Sequence, residues 1–136
     1  MHVYSQSNYK YVSGTGGNAI VLKAGQTVVV TVVPTTKHGR IHRLIVKQAS
    51  GASTAFKVNL YDDDITRADT FGTDISRIIA EQPVTSGETC FVNSEMGYPF
   101  RNKLNLAEVY LVISVTAAPA SDLYFDASIT WATPET

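Results

Sequence analysis

The chain of 136 residues holds a single cysteine, Cys90. No intrachain disulfide can form, which argues for folding in a reducing compartment. Charge is sparse: Asp, Glu, Lys and Arg make up 17% of the residues, against about 25% in an average globular domain. The 11 basic and 12 acidic side chains leave a formal net charge of −1. That balance carries no signature of a nucleic-acid binder or of a polybasic membrane-surface protein. The longest apolar run lies around VVVTVVP, residues 28–34, far short of the roughly 20 residues a membrane helix needs. The opening stretch MHVYSQSNYKYV lacks the basic-then-apolar pattern of a secretory signal. Helix-period patterns are nearly missing, and there is no internal repeat.

What is present is strand pattern. Short runs rich in Val, Ile, Thr, Tyr and Phe alternate with turn residues. NAIVLK (18–23) stops at the turn AGQ (24–26). TVVVTVV (27–33) is β-branched throughout and ends at Pro34. Such a run suits a strand buried on both faces or lying at a subunit contact. RIHRLIVKQ (40–48) follows a turn expected around Gly39. AFKVNLY (55–61) places Phe56, Val58 and Leu60 on one face and Lys57, Asn59 and Tyr61 on the other. VYLVISV (109–115) aligns Val109, Leu111, Ile113 and Val115; LYFDASITW (123–131) turns Leu123, Phe125, Ala127, Ile129 and Trp131 inward. ISRIIA (75–80), after Asp74 as cap, is the one helical turn the pattern allows. A short strand is expected at TCFVN (89–93), within a stretch broken by Pro83, Gly87, Gly97 and Pro99.

The count is about eight strands in one domain. The expectation is all-β: a single antiparallel β-sandwich, jelly-roll-like, with an N-terminal arm. Residues 1–12 form that arm or a first strand, 13–17 a glycine-rich hinge, and 18–136 the sandwich body. An immunoglobulin-type sandwich is the alternative, since that architecture does not require its cysteine pair.

The candidate sites are few. NLYDDDITRADTFG (59–72) carries Asp62, Asp63, Asp64 and Asp69. Counted from Asp62, an EF-hand loop would need Gly at the sixth position and Glu at the twelfth, and the chain has Arg67 and Thr73. An irregular cation site from Asp62, Asp64 and Asp69 is the sharper reading; a strand end running into a polar loop is the simpler one and is preferred. SGTGGNA (13–19) has Gly14, Gly16 and Ala19 at the spacing of a dinucleotide fingerprint, but a β-branched strand follows where a helix is needed. His38 and His42 on a strand stand roughly 13 Å apart, too far for one zinc, and His2 lies near the terminus. Cys90 sits in no nucleophile pattern and reads as a small buried hydrophobe. No catalytic residue, metal ligand or cofactor is therefore expected, and the chain reads as a non-enzyme. The interface candidates are Val3, Tyr4, Tyr9 and Tyr11 of the N-terminal stretch, a docking arm, together with the basic strip Arg40 and Arg43, suited to an acidic partner surface.

Two segments, NAIVLKAGQTVVVTVVP and EVYLVISVTAAPASDLYFDASITW, give the chain a texture that resembles the capsid decoration, or cement, proteins of tailed phages. That resemblance implies a β-rich body bound to the outside of an assembled shell, often as a dimer or trimer. The partner would be the major capsid protein or another virion protein, with no nucleic acid and no membrane. The location would be the virion, and the host cytoplasm before assembly. The alternative is a carbohydrate-binding β-sandwich module of a fibre or secreted enzyme. It would use Tyr61, Tyr98, Tyr110 and Tyr124, since Trp131 belongs to the inward series of its strand.

Overall fold

The computed structural model describes residues 3–11, 20–62, 77–101 and 106–135; of residues 3–11, 77, 134 and 135 it describes the backbone. The alternating stretches are strands: β1 (Val3–Tyr11), β2 (Ile20–Leu22), β3 (Val28–Pro34), β4 (His38–Ser50), β5 (Phe56–Tyr61), β6 (Arg77–Val84), β7 (Thr89–Arg101), β8 (Glu108–Ser114) and β9 (Leu123–Glu135). Among the described residues there is no helix. The proposed glycine-rich hinge, residues 13–17, lies outside them.

Two antiparallel sheets face each other. The first runs β1-β9-β4-β7, with β2 also paired to β9; the second runs β3-β8-β5-β6. The pairing is nested: β5 with β6, β4 with β7, β3 with β8, and β2 with β9. This is a long antiparallel ribbon rolled over on itself, the jelly roll. The turns at one end keep the same nesting. Gly25 donates its N–H to Pro119 O at 3.0 Å and Ala24 donates to Asp122 Oδ1 at 2.9 Å, tying the β2–β3 turn to the β8–β9 loop. One layer along, Ser53 Oγ meets Ser86 Oγ at 2.7 Å, joining the β4–β5 and β6–β7 turns. The backbone of β1 continues the line of β2 along β9, from Val3 opposite Glu135 to Tyr11 opposite Ala127. The N-terminal stretch is thus the first strand of this sheet.

The core fills the space between the sheets. β8 contributes Val109, Leu111 and Ile113, the next residue after the strand adds Val115, and β9 contributes Leu123, Phe125, Ala127, Ile129 and Trp131, all buried, as their period-two spacing requires. The adjoining strands of the same two sheets add Phe56, Val58 and Leu60 of β5 beside β8, and Ile41, Leu44 and Val46 of β4 beside β9. Phe56 and Phe125 meet across the two sheets edge to face, with ring centroids 5.0 Å apart and planes at 70°.

Four expectations are corrected. TVVVTVV is not buried on both faces: β3 is an edge strand, Val33 is buried, and Val28 and Val32 are 47% and 48% exposed. The strand closed on both faces is β8, second from the edge, where Tyr110 and Val112 are buried as well. ISRIIA is no helical turn over residues 77–80. Arg77–Val84 is the strand β6, and register shifts against β5 bury the adjacent Ile78 and Ile79 together, which mimics a helical pattern. TCFVN is the beginning of a 13-residue strand that runs through Gly97 and Pro99, because β7 is a sheet edge that tolerates a bulge and a missing N–H. Gly39 lies inside β4, where a Cβ would come within 2.6 Å of the Ala132 carbonyl oxygen; close strand approach, not a turn, requires glycine there.

Two outcomes follow from this packing. Phe125→Ala should lower stability in urea unfolding by about 3–5 kcal/mol, and a double-mutant cycle with Phe56→Ala should leave a coupling of about 0.5–1.5 kcal/mol; additive losses would show that the ring geometry contributes nothing beyond burial. Cys90 is buried, and desolvation raises its thiol pKa from the ordinary 9.0. The unfolded chain then ionises first. The contribution is complete below about pH 9 and falls as pH rises above it. In the native state Cys90 should resist a disulfide-exchange reagent and react in step with unfolding; fast native labelling would contradict its burial.

Candidate contact surface

Strand β4 carries the polar and basic side chains that face away from the core. His38, Arg40, Arg43 and Lys47 are exposed, while Ile41, Leu44 and Val46 are buried between the sheets. Arg43 lies opposite Thr130 on β9 and Asn93 on β7, and Ile45 lies opposite Ser128 and Phe91. Phe91 is 59% exposed, a large aromatic on the open side of the first sheet with Arg43 and Lys47 on the adjoining strand.

The β4–β7 pairing is interrupted at His42. Ile41 pairs with Tyr98 and Arg43 with Asn93, so the four residues Ser94–Gly97 on β7 oppose His42 alone. The surplus chain projects as a bulge, and it is braced. His42 Nδ1–H donates to the Ser94 carbonyl at 2.9 Å. Gly97 N–H donates to Ser94 Oγ at 3.1 Å. Arg40 Nη1 donates to the carbonyl of Met96 at 3.3 Å, with that of Gly97 at 3.5 Å. Gly97 has φ of 77°, and a Cβ there would sit 2.6 Å from the Cβ of Arg40. Only glycine fits both the backbone and the space. At the tip, Glu95 is exposed and Met96 is 82% exposed. A surface of Phe, Met and Arg on a rigid edge strand has the composition of a protein contact.

The other candidates are distributed as follows. Of the basic strip, Arg43 is exposed on the sheet face, and Arg40 holds the bulge through its guanidinium. The backbone of Val3, Tyr4, Tyr9 and Tyr11 belongs to β1; their side chains lie outside the described residues. So do His2, Gly14, Gly16, Asp63, Asp64 and Asp69. Asp62 follows the last residue of β5 and is 6% exposed; its Oδ2 accepts the Arg101 backbone N–H at 3.3 Å. His38 is exposed while the ring of His42 is committed to Ser94, and among the described residues no three His, Cys, Asp or Glu side chains gather. Tyr110 is 2% exposed, its hydroxyl donating to Glu108 Oε1 at 2.7 Å. Tyr61 is half-buried in the second sheet, opposite Tyr110; Tyr98 packs against the core and Tyr124 is half-buried on β9 in the first sheet, so none of the four is exposed. A shallow cleft of about 340 Å³ at the tied end is lined by Ala55, Phe56, Lys57, Pro83, Val84 and their neighbours. Its one ionisable group, Lys57, lies 3.8 Å from Glu81. Met96 and the bulge could not be read from the sequence, because a four-residue surplus against one partner leaves no periodic trace; Gly97 beside Tyr98 and Pro99 was its only signal.

No family model matches the chain, and no curated protein matches it. Among solved structures it is similar to a protein of Bacillus endospore appendages, a family of disulfide-linked pili, at 11% identity over 96% of this chain and 89% of that one, with a TM-score of 0.47. It is also similar to a chain of infectious bursal disease virus, Gx strain, at 9% identity, covering 95% of this chain and 32% of that one, with a TM-score of 0.43. The corresponding Gt-strain chain gives 11% identity, 93% and 32% coverage and a TM-score of 0.38. The chain spans about a third of the viral chains. These are likenesses to structures of a pilus and of a virus.

Proposed function

We propose that this chain is a non-enzymatic structural protein of a phage virion that binds the outer surface of the assembled capsid and stabilises it by contact. The observation that carries this reading is the first sheet's open edge. Phe91 and Met96 stand exposed on β7, Met96 on a bulge held by Arg40 and His42, with Arg43 alongside. A backbone bulge that is already braced loses less entropy on docking than a free loop would, and a flexible methionine at its tip adapts to the surface it meets. In this reading the partner is the major capsid protein or another virion protein. Val3, Tyr4, Tyr9 and Tyr11 of the N-terminal strand supply a second contact, to a neighbouring copy in a dimer or trimer. Repetition over a symmetric shell makes a small interface sufficient. The glycan-binding alternative needs exposed tyrosines grouped at one loop end, and of its four Tyr110 is buried while Tyr61, Tyr98 and Tyr124 are half-buried.

The test is sedimentation of native particles with the chain counted by mass spectrometry. Hundreds of copies per particle support shell decoration. A few copies move the protein to a tail or fibre, and recovery only as a small free species overturns the virion reading. On the particle, Phe91→Asp and Met96→Asp should each lower occupancy at least about tenfold, the loss expected of an apolar anchor, with an unchanged melting midpoint. Gly97→Ala should lower both occupancy and stability, the latter by about 1 kcal/mol or more, because its φ and the Arg40 contact both resist a Cβ.

A further inference from the structure

β3 is an edge of the second sheet, and it lacks the guards of β6 and β7. β6, at the far side of the same sheet, carries Glu81 and Pro83. β7 in the first sheet carries its bulge and Pro99. From Ala24 to Thr36 there is no ionisable side chain, and Pro34 comes only at the end of the strand. Val28 and Val32 are 47% and 48% exposed. An uncharged, β-branched edge of this kind is suited to the addition of another strand.

Hydrogen bonds at its two ends fix which backbone groups are on offer. Val115 N–H donates to the Thr27 carbonyl at 2.8 Å, and Thr35 N–H donates to the Ala107 carbonyl at 3.0 Å. Between them the β3–β8 register runs without a shift. In such an antiparallel ladder residues 27, 29, 31, 33 and 35 turn N–H and C=O towards β8, and the residues between them turn theirs away. Val28 and Val30 therefore aim both groups at the open edge, where they have no partner among the described residues. Val32 has a further interaction within the chain, so the stretch on offer stops short of it. That stretch, TVVVT (27–31), reads the same in both directions.

We propose that β3 pairs antiparallel with β3 of a second copy of this chain, about a two-fold axis at Val29. Thr27 then lies opposite Thr31 of the second copy, and Val28 opposite its Val30, so that cross-strand neighbours match like with like. Each Val28–Val30 pair exchanges both of its N–H···O=C bonds. No charge faces a charge, and an unrelated strand would have no such match. The contact is isologous and closes at two copies. The joined sheet then ends in β6 on both sides, where Glu81 and Pro83 discourage further addition. This pairing is independent of the capsid role, whose contacts lie on the first sheet.

The full-length chain would be sedimented over a range of concentrations, with amide exchange read residue by residue. The expected result is a monomer–dimer equilibrium. In the dilute chain the amides of Val28 and Val30 should exchange fast while those of Val29 and Thr31 are protected; in the dimer all four should be protected. Val28→Lys should weaken the dimer by about tenfold or more and leave the melting midpoint of the dilute chain unchanged. A chain that stays monomeric up to about 1 mM overturns the proposal and leaves the edge to another protein's strand or to none. A dimer in which Val28 and Val30 still exchange fast, or that Val28→Lys leaves intact, is built on another surface and also overturns it. Species that grow past two copies overturn the closed pairing. If Val28→Lys does not fold, the exchange pattern of the natural chain decides.

Discussion

Everything in this fold leans on β9. It is paired along one side by β1 and β2 in succession and along the other by β4, so it joins the two ends of the chain's order. Its inward series then packs across to the second sheet, with Phe125 meeting the edge of Phe56. The two demands are linked. A one-residue slip of β9 against β4 would carry Leu123, Phe125, Ile129 and Trp131 to the solvent face together. The core therefore fixes the register, and the register fixes which side chains of β4 and β7 are left outside. The bulge at His42 and the exposure of Phe91 are consequences of that choice.

The strands whose two faces differ were legible. In β5 and β9 the inward series is apolar throughout, and every residue of that series is buried. In β8 the expected inward series is also buried, although its second face is closed too. The nested pairing was legible only as a class, because it depends on which strands meet rather than on any one strand. The failures have local causes. Seven valines and threonines in a row say that β3 is a strand but not whether a neighbour covers it, and an edge and a centre can have the same sequence. Ile78 and Ile79 are both buried because β5 and β6 slip register there, which alternation cannot encode. Asn59 stands on the face assigned to solvent and is buried. Nothing in FKVNLY distinguishes that asparagine from an exposed one. The candidate contact residues show the same split: Arg43 was visible as a cation on a strand, whereas Met96 depends on a bulge created between two strands.

Open sheet edges need protection, and this chain protects them unequally. β6 carries Glu81 and Pro83, and β7 carries a bulge and Pro99. These devices interrupt a continuous row of backbone groups, which is what edge-to-edge aggregation requires. On β7 the interruption does something further. A bulge that only blocked pairing would have no need of Arg40 and His42 beneath it. Bracing converts a disruption into a fixed projection, and a projection with methionine at its tip is suited to a complementary surface.

The placement of that surface also follows from the ribbon. At the tied end, turns from opposite halves of the roll hold one another through Pro119, Asp122, Ser53 and Ser86. Those turns are occupied in closing the sandwich, and the shallow cleft among them brings one ionisable group, Lys57, to a wall of apolar and hydroxyl side chains. The sheet faces and edges remain as the area available for recognition. Phe91 and Met96 alone cover far less than the roughly 1,200–2,000 Å² of a standard stable complex. In the proposed role that deficit is no obstacle. A weak contact repeated on a lattice, or doubled by a neighbouring copy through the N-terminal strand, gains from effective concentration what it lacks in area. A rigid β-body with small braced contacts is the kind of molecule for which repetition, rather than any single strong site, sets the strength of binding.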